Sequence, residues 1–171
     1  SGSPTWQWQR STDGGSTWLN LTNVSPYSDV TTATLTVNPT SLSLNNYQFR
    51  VVATNGSGAV TSNVATLTVN VLPTISTQPV SQTKVDGDSA AFTVAASGTP
   101  TPTYQWQVFP NGASTWTDLT NATPYSGVTA ATLTINPATA ALNGNQYRAV
   151  ATNVAGSATS SAATLTVIAI C

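Results

Sequence analysis

Apolar side chains occupy every second position in many short stretches of this chain. Ala90, Phe92, Val94 and Ala96 alternate with smaller or polar residues. The same alternation recurs at Tyr104 and Trp106, at Leu133 and Ile135, and at Ala163, Leu165 and Val167. A period of two residues is typical of strands with one buried face and one solvated face. The pattern therefore predicts an all-β chain built from short antiparallel strands.

Glycine, proline and asparagine separate these stretches. Asp13-Gly14-Gly15 and Asn111-Gly112 predict hairpin turns, because Gly and Asn tolerate a positive φ. No segment shows the 3.6-residue period of an amphipathic helix. The alanine-containing segment Pro137–Asn143 is where the sequence favours a helical turn.

The chain contains two copies of one long sequence unit. When residues 4–73 are placed over residues 102–171, an offset of 98, 39 of the 70 positions are identical without a gap. Trp8 then falls on Trp106. A unit of this length is a domain rather than one turn of a solenoid. With about seven strands in a full unit, the expected architecture is a β-sandwich.

Several motifs in the second copy follow one another in a fixed order. Ser97-Gly98-Thr99-Pro100 precedes Tyr104-Gln105-Trp106, and Asn143–Ala149 precedes Ala151-Thr152-Asn153 and Gly156. These motifs resemble the end of strand B, the strand C tryptophan, the tyrosine corner and the F–G turn of immunoglobulin-like domains. The resemblance is to the tandem, I-set-like repeats of bacterial surface and fibre proteins, and it covers nearly the whole chain. It implies two tandem immunoglobulin-like antiparallel β-sandwiches.

The chain departs from that family at two features. The family's disulfide cysteines fall on Val94 and Ala149, and on Val51 in the first copy. The corner tyrosine, whose hydroxyl the family bonds to the backbone, is Phe49 in the first copy. The resemblance therefore implies cores held by packing alone. Its core residues correspond to Trp8, Trp106, Phe49 and Tyr147.

The strand count predicts two domains of unequal completeness. Residues 74–171 supply strands A to G, whereas residues 1–73 supply only strands C to G, because Ser1 aligns with Thr99. The first module therefore lacks its A and B strands, which bares Trp8 and leaves strand E with an open edge. We expect another polypeptide segment, from a longer array or a neighbouring subunit, to cover this side.

Composition narrows the functional classes. Charged residues make up 5% of the chain and the net charge is −1, which favours neither nucleic-acid binding nor membrane association. No apolar run reaches the length of a membrane-spanning helix. The chain has no His to activate a nucleophile, and its close carboxylate pair, Asp86 and Asp88, is interpreted as a turn rather than a calcium site. We expect no catalytic site, metal or cofactor.

Two interpretations remain open for Trp18 and Trp116, which follow the hairpin turns of the two copies. They either pack against the sheet or form exposed aromatic contacts for a sugar. Arg50 and Arg148 share one register on strand F, where a guanidinium can stack on an aromatic ring. Exposure of the two indoles distinguishes a structural role from a binding role.

A hydroxyl-rich composition, with 51 Ser and Thr residues and no Met, favours an extracellular or cell-surface location. The function we expect is a non-catalytic structural building block of an extracellular fibre, stalk or surface adhesin. Its partners would be copies of itself or adjacent immunoglobulin-like modules. The alternative is a carbohydrate- or ligand-binding module of a larger secreted protein, with glycans as partners. Cys171 is predicted either to form an intermolecular disulfide or to have no functional role, and in neither case a catalytic one.

Overall fold

The computed structural model describes residues 2–169, and these residues form short β-strands joined by loops. The chain divides into two compact units, the first ending at Val69 and the second beginning at Asn70. In the first unit the strands are β1 (Thr5–Ser11), β2 (Leu19–Asn20), β3 (Tyr27–Ser28), β4 (Thr36–Val37), β5 (Gln48–Asn55), β6 (Gly58–Thr61) and β7 (Ala65–Thr66).

The second unit has the longer series of strands. They are β8 (Val71–Thr77), β9 (Gln82–Val85), β10 (Ala90–Thr93), β11 (Ala95–Thr99), β12 (Thr103–Phe109), β13 (Thr117–Asp118), β14 (Tyr125–Ser126), β15 (Thr132–Ile135), β16 (Gln146–Asn153), β17 (Gly156–Thr159) and β18 (Ala163–Ile168). The all-β prediction is confirmed.

Helical structure in the described residues is confined to two 3₁₀ turns, at Leu42–Leu44 and Ala140–Leu142. The second turn lies within Pro137–Asn143, where the sequence favours a helical turn. Across residues 2–169, no helix combines the length and the hydrophobicity needed to cross a lipid bilayer.

The strands of the second unit form an antiparallel β-sandwich. One sheet has the order β13-β12-β16-β18-β9, with β17 also beside β16, and the facing sheet has the order β10-β15-β14. A further pair joins β8 to β11. Neighbouring strands are antiparallel except β9 and β18, which run parallel.

The alternating apolar residues of the second unit meet between its two sheets. Its largest fully buried side chains are Phe92, Val94, Trp106, Leu133, Ile135, Tyr147 and Leu165. Burying each of them contributes about 1.5–3 kcal/mol relative to leaving it exposed. Val94 and Ala149, at the positions of the family's disulfide, belong to this core. Packing therefore occupies the place of the covalent bond.

The first unit contains counterparts of only some of these strands. Its sheet has the order β2-β1-β5-β6 with β7 also beside β5, and β3 pairs with β4. At the offset of 98 these strands correspond to β12 through β18. Within the described residues the first unit has no counterpart of β8, β9, β10 or β11.

Two strands of the first unit are shorter than their counterparts. β4 has two residues where β15 has four, and β7 has two where β18 has six. β15 pairs with β10 over all four of its residues, and β18 pairs with β9 over Leu165–Ile168. The residues by which β4 and β7 fall short correspond to residues of β15 and β18 that pair with β10 and β9. The described residues of the first unit contain no counterpart of either partner strand.

Candidate functional site

A row of polar and aromatic side chains crosses the outer face of the larger sheet in the second unit. The Gln107 amide nitrogen donates to the Asp118 carboxylate at 2.7 Å, and the Gln107 oxygen accepts from Arg148 Nε at 2.7 Å. The guanidinium carbon of Arg148 lies 4.1 Å from the centre of the Trp116 ring. The row is thus a continuous chain of contacts from Asp118 to Trp116.

The first unit carries the same row with an amide in place of the carboxylate. Gln9 donates to the Asn20 side chain at 2.8 Å and accepts from Arg50 Nε at 2.7 Å. Arg50 lies over the Trp18 ring at 4.1 Å. The structure therefore contains the expected stacking of Arg50 on an aromatic ring, and the second unit has the same stack.

Trp18 and Trp116 are half-buried in their own units. The Trp18 ring nitrogen donates to the Gly15 carbonyl oxygen at 3.0 Å. The Trp116 ring packs beside Phe109 with 5.4 Å between ring centres. A sugar ring needs an open aromatic face on which to stack, and here a guanidinium covers one face of each indole.

The two strand C tryptophans, Trp8 and Trp106, have the same hydrogen-bonded anchor but different cover. Trp106 is fully buried, and its ring nitrogen donates to the Ala130 carbonyl oxygen at 2.9 Å. The Trp8 ring nitrogen donates to the equivalent carbonyl oxygen, that of Thr32, at 3.0 Å. Trp8 is nevertheless only half-buried. The difference lies in what covers the ring, not in how the ring is attached.

Tyr147, at the corner position, is fully buried. Its ring stacks on Phe92 with 5.2 Å between centres, and its hydroxyl lies 3.4 Å from that of Tyr125. The resemblance implies a backbone partner for this hydroxyl, whereas the hydrogen-bonded partner in the structure is a side chain. Burial raises the pKa of Tyr147 above its usual range, because the charged form would lose its water. The group is therefore neutral and contributes packing.

In the first unit the corresponding corner contains a cation, the Arg10 guanidinium. Phe49 is buried in place of the corner tyrosine and packs edge-on against Tyr27 at 6.1 Å. Arg10 Nη1 donates to the Tyr27 hydroxyl at 3.1 Å, and the guanidinium lies 5.7 Å from the Tyr47 ring. Arg10 is not among the residues that the family motifs single out. The signal for it is the alignment of the two copies, in which Arg10 falls on Val108.

A groove of about 230 Å³ in the first unit, here called the B groove, lies where the second unit holds β10. Its lining residues are Trp8, Leu35, Val37, Phe49, Ala65, Thr66 and Leu67. Leu35 and Val37 are half-buried, whereas their counterparts Leu133 and Ile135 are fully buried. Phe92 of β10 pairs directly with Leu133. The B groove is therefore the first unit's version of the site that β10 fills.

A second groove of about 340 Å³, here called the A groove, lies where the second unit holds β8. Its lining residues are Pro4, Ala53, Asn55, Ser57, Gly58, Ala59 and Val60. In the second unit the Asn153 side-chain nitrogen donates to the carbonyl oxygens of Val71 at 2.8 Å and Pro100 at 2.9 Å. The Leu72 side chain occupies the space where a Cβ on Gly156 would lie. β8 thus occupies the position that is open in the A groove.

The carboxylates of Asp13 and Asp86 support turns. Asp86 accepts a hydrogen bond from the Ala140 backbone nitrogen at 2.8 Å. Asp13 accepts from the backbone nitrogen and the hydroxyl of Thr17 at 2.9 and 2.6 Å, and the hydroxyl bond contributes most to lowering the Asp13 pKa to about 2. In the part of the chain that the structure describes, no group of three His, Cys, Asp or Glu side chains could hold a metal. Cys171 lies outside the described residues.

Residues 73–167 match the sequence profile of the immunoglobulin I-set domain. The chain belongs to the immunoglobulin I-set family. This match confirms the immunoglobulin-like resemblance and the predicted fold class. It runs through the unit in which the A groove and B groove positions are filled by β8 and β10.

A curated relative of this I-set chain is Endoglucanase C of Cellulomonas fimi. The two are 43% identical over 99 residues, which are 58% of this chain and 8% of that protein. The I-set chain therefore spans a small part of the relative's length.

Solved structures similar to the I-set chain include fragments that contain several domains each. Extracellular domains 3–5 of Drosophila OTK align with a TM-score of 0.61 and 22% identity over 96% of this chain and 52% of that one. The four N-terminal immunoglobulin domains of Dscam1 isoform 6.9 align with a TM-score of 0.62 and 20% identity over 96% of this chain and 38% of that one. These similarities show the fold.

Proposed function

We propose that this I-set chain is a non-catalytic structural module of an extracellular fibre, stalk or surface adhesin. The observation that supports this best is the parallel pair of β9 and β18, with Gln82–Val85 in register against Leu165–Ile168. One segment lies early in the second unit's sequence and the other at its end. Tension along the chain pulls them in opposite directions and loads their hydrogen bonds together.

The distribution of reactive and aromatic side chains supports the same role. Trp106 is fully buried, Trp116 lies against Arg148, and Asp86 accepts from a backbone nitrogen. These groups stabilise the unit itself. An extracellular location fits the hydroxyl-rich composition and the OTK similarity, which is to domains described as extracellular. Adjacent immunoglobulin-like modules or further copies are the proposed partners.

Force spectroscopy on the full chain tests the load-bearing role through Lys84. The Asp86 backbone nitrogen donates to the Ile168 carbonyl oxygen at 2.9 Å. By strand alternation, the Lys84 backbone nitrogen also faces β18. Lys84→Pro removes this donor, and we expect the unfolding force of the second unit to fall.

Lys84→Ala is the matched control, because it removes the same side chain and keeps the backbone donor. We expect its unfolding force to equal that of the unchanged chain. Equal forces for Lys84→Pro and Lys84→Ala would show that the β9–β18 ladder does not resist tension, which would remove the main support for the structural role.

A carbohydrate-binding module of a larger secreted protein is the second candidate, favoured by the relationship to an endoglucanase. The contacts would come from the accessible parts of Trp18 and Trp116. Retention on cellulose and a glycan array measures this. A structural module is not retained, whereas a binding module is retained and loses that retention in Trp116→Ala or Trp18→Ala.

A further inference from the structure

We propose that the first unit binds an acidic sugar, a hexuronic acid, in a groove here called the Arg10 groove. The groove is bordered by β2, residues 21–26 and the start of β3, and its volume is about 420 Å³. Its lining residues are Arg10, Leu19, Asn20, Leu21, Thr22, Val24, Ser25, Pro26 and Tyr27. The inference goes beyond the proposed structural role and does not depend on it.

The Arg10 groove is separate from the B groove. In the second unit the order β10-β15-β14 places β10 and β14 on opposite sides of β15. The Arg10 groove adjoins β3, the counterpart of β14, and β3 pairs with β4, the counterpart of β15. A strand at the position of β10 would therefore lie on the far side of β4 from this groove.

The Arg10 guanidinium is the charged group of the groove. Arg10 is half-buried, and its guanidinium carbon lies 5.6 Å from the centre of the Tyr27 ring and 5.7 Å from the centre of the Tyr47 ring. Nη1 donates to the Tyr27 hydroxyl at 3.1 Å. The two rings and the hydrogen bond hold the planar group in place, so little side-chain freedom remains to be lost when a ligand binds.

The groove offers Arg10 no negative charge. Among residues 2–169, those that line the groove include no acidic residue. The carboxylates of the first unit have other partners, since Asp13 accepts from Ser11 and Thr17, and Asp29 accepts from Ser28. A cation withdrawn from water without a paired anion loses hydration that one neutral hydroxyl replaces only in part. A negatively charged ligand would supply the missing partner.

The two copies of the unit differ in charge at this position. At the offset of 98, Arg10 falls on Val108 and Asn20 falls on Asp118. The first unit thus has a positive charge and an uncharged amide where the second unit has an apolar side chain and a negative charge. An anion is therefore attracted to the groove of the first unit and repelled at its counterpart.

The rest of the lining matches the body of a sugar. Leu19 and Val24 are 59% and 66% exposed, and their aliphatic side chains can contact the C–H groups of a pyranose ring. Thr22 and Ser25 are also exposed, and their hydroxyls can exchange hydrogen bonds with the hydroxyls of a sugar. Sites for small ligands combine apolar walls with a few polar groups in this way.

The charge of the groove favours a carboxylate over a phosphate. A carboxylate carries one negative charge and accepts two parallel N–H bonds from a guanidinium. A phosphate monoester carries close to two negative charges at neutral pH, whereas Arg10 is the one cation among the described residues that line the groove. A hexuronic acid combines the single carboxylate with ring C–H groups and hydroxyls.

NMR titration of the full chain with D-galacturonate and with D-glucuronate tests the proposal. We expect at least one of them to shift the backbone amides of residues 19–22 and the Arg10 Nε–H resonance. D-Galactose and D-glucose lack the carboxylate and are the matched control ligands. We expect them to bind at least about tenfold more weakly, because hydrogen bonds to charged groups are stronger than neutral ones.

Arg10→Val should weaken binding of the hexuronate at least about tenfold. The second unit has Val108 at this position, so the fold accommodates the side chain. Lys84→Ala removes one positive charge from the second unit and should leave the affinity unchanged. Asn20→Asp keeps the test decisive if Arg10→Val does not fold. It introduces the carboxylate that the second unit has at Asp118, and we expect it to weaken binding.

Three results would overturn the proposal. In the first, neither hexuronate shifts the resonances of Arg10 and residues 19–22 at about 10 mM, well above a millimolar dissociation constant. In the second, Lys84→Ala weakens binding as much as Arg10→Val does. In the third, acetate or inorganic phosphate binds as tightly as the hexuronate, so that the groove holds any small anion and does not recognise a sugar acid.

Discussion

The Asn153 side-chain nitrogen lies 2.8 Å from the Val71 carbonyl oxygen and attaches β8 to the F–G turn of the second unit. The same nitrogen donates to Pro100 at 2.9 Å, so one amide holds two segments. Asn55 occupies the equivalent position in the first unit. A comparison of Asn153 with Asn55 therefore separates the contribution of the bonds to Val71 and Pro100 from the other effects of an asparagine side chain at this position.

Asn153→Ala should lower the free energy of unfolding of the second unit by about 1–3 kcal/mol, because each neutral hydrogen bond contributes about 0.5–1.5 kcal/mol. Asn55→Ala should have a much smaller effect on the first unit. Both asparagines accept a hydrogen bond from the backbone nitrogen of the residue two positions later, so both variants lose that bond. Asn153→Ala also loses the bonds to Val71 and Pro100. Urea unfolding followed by resonances of each unit measures both losses. Equal losses would contradict the assignment of the Asn153 bonds.

Phe92→Ala should destabilise the second unit by about 3–5 kcal/mol, the range for removing a buried aromatic side chain. Phe92 is 1% exposed and stacks on Tyr147. Ala91→Ser, on the exposed face of the same strand, should change the stability by less than about 0.5 kcal/mol. Thermal and urea unfolding give both values. Similar effects of the two substitutions would contradict the assignment of one buried face and one exposed face to β10.

Arg148 and Trp116 should show a coupling energy of about 0.5–1 kcal/mol in a double-mutant cycle of alanine substitutions. The guanidinium lies 4.1 Å from the ring centre on a partly solvated face. The cycle of Arg50 and Trp18 should give a similar value, because the geometry repeats. Additive effects in either unit would show that the stack has no energetic role there.

Asp13 should make the stability of the first unit depend on acid pH. Its pKa falls from 3.8 to about 2 on folding, so its contribution is present above pH 3.8 and is lost as the pH falls through about 2. Urea unfolding between pH 5 and about 2 measures this loss. Asp13→Asn should flatten the dependence. The second unit has Asn111 at this position and provides an internal reference. An unchanged slope in Asp13→Asn would contradict the assignment.

The sequence predicted those features that depend on strand periodicity and on the repeat. Alternation at Phe92 and Val94 indicates strands from the residues alone. The offset of the two copies then indicated that Trp8 would lack cover. Strand alternation is visible within a few residues, and the missing cover is visible in the alignment of the two copies. Both features concern the backbone architecture and not the partners of individual side chains.

Other features could not be read from the sequence because they depend on which side chains meet across strands. Whether Trp116 is exposed depends on Arg148, which is 32 residues away. The hydroxyl partner of Tyr147 depends on the position of Tyr125 in the facing sheet. The Arg10 contacts arise because two aromatic rings approach one cation. Local patterns do not determine these encounters.

During refolding, β10 meets two acceptor strands of nearly the same sequence, one in each unit. Phe92 is 41 residues from Leu133 and 57 residues from Leu35. On loop length alone, closing the longer loop costs only about 0.3 kcal/mol more. Docking on the first unit would strip the second unit of its own strand, which is a kinetic trap of the kind that tandem repeats favour. Loop length therefore gives the native pairing only a small advantage while the chain is still unfolded.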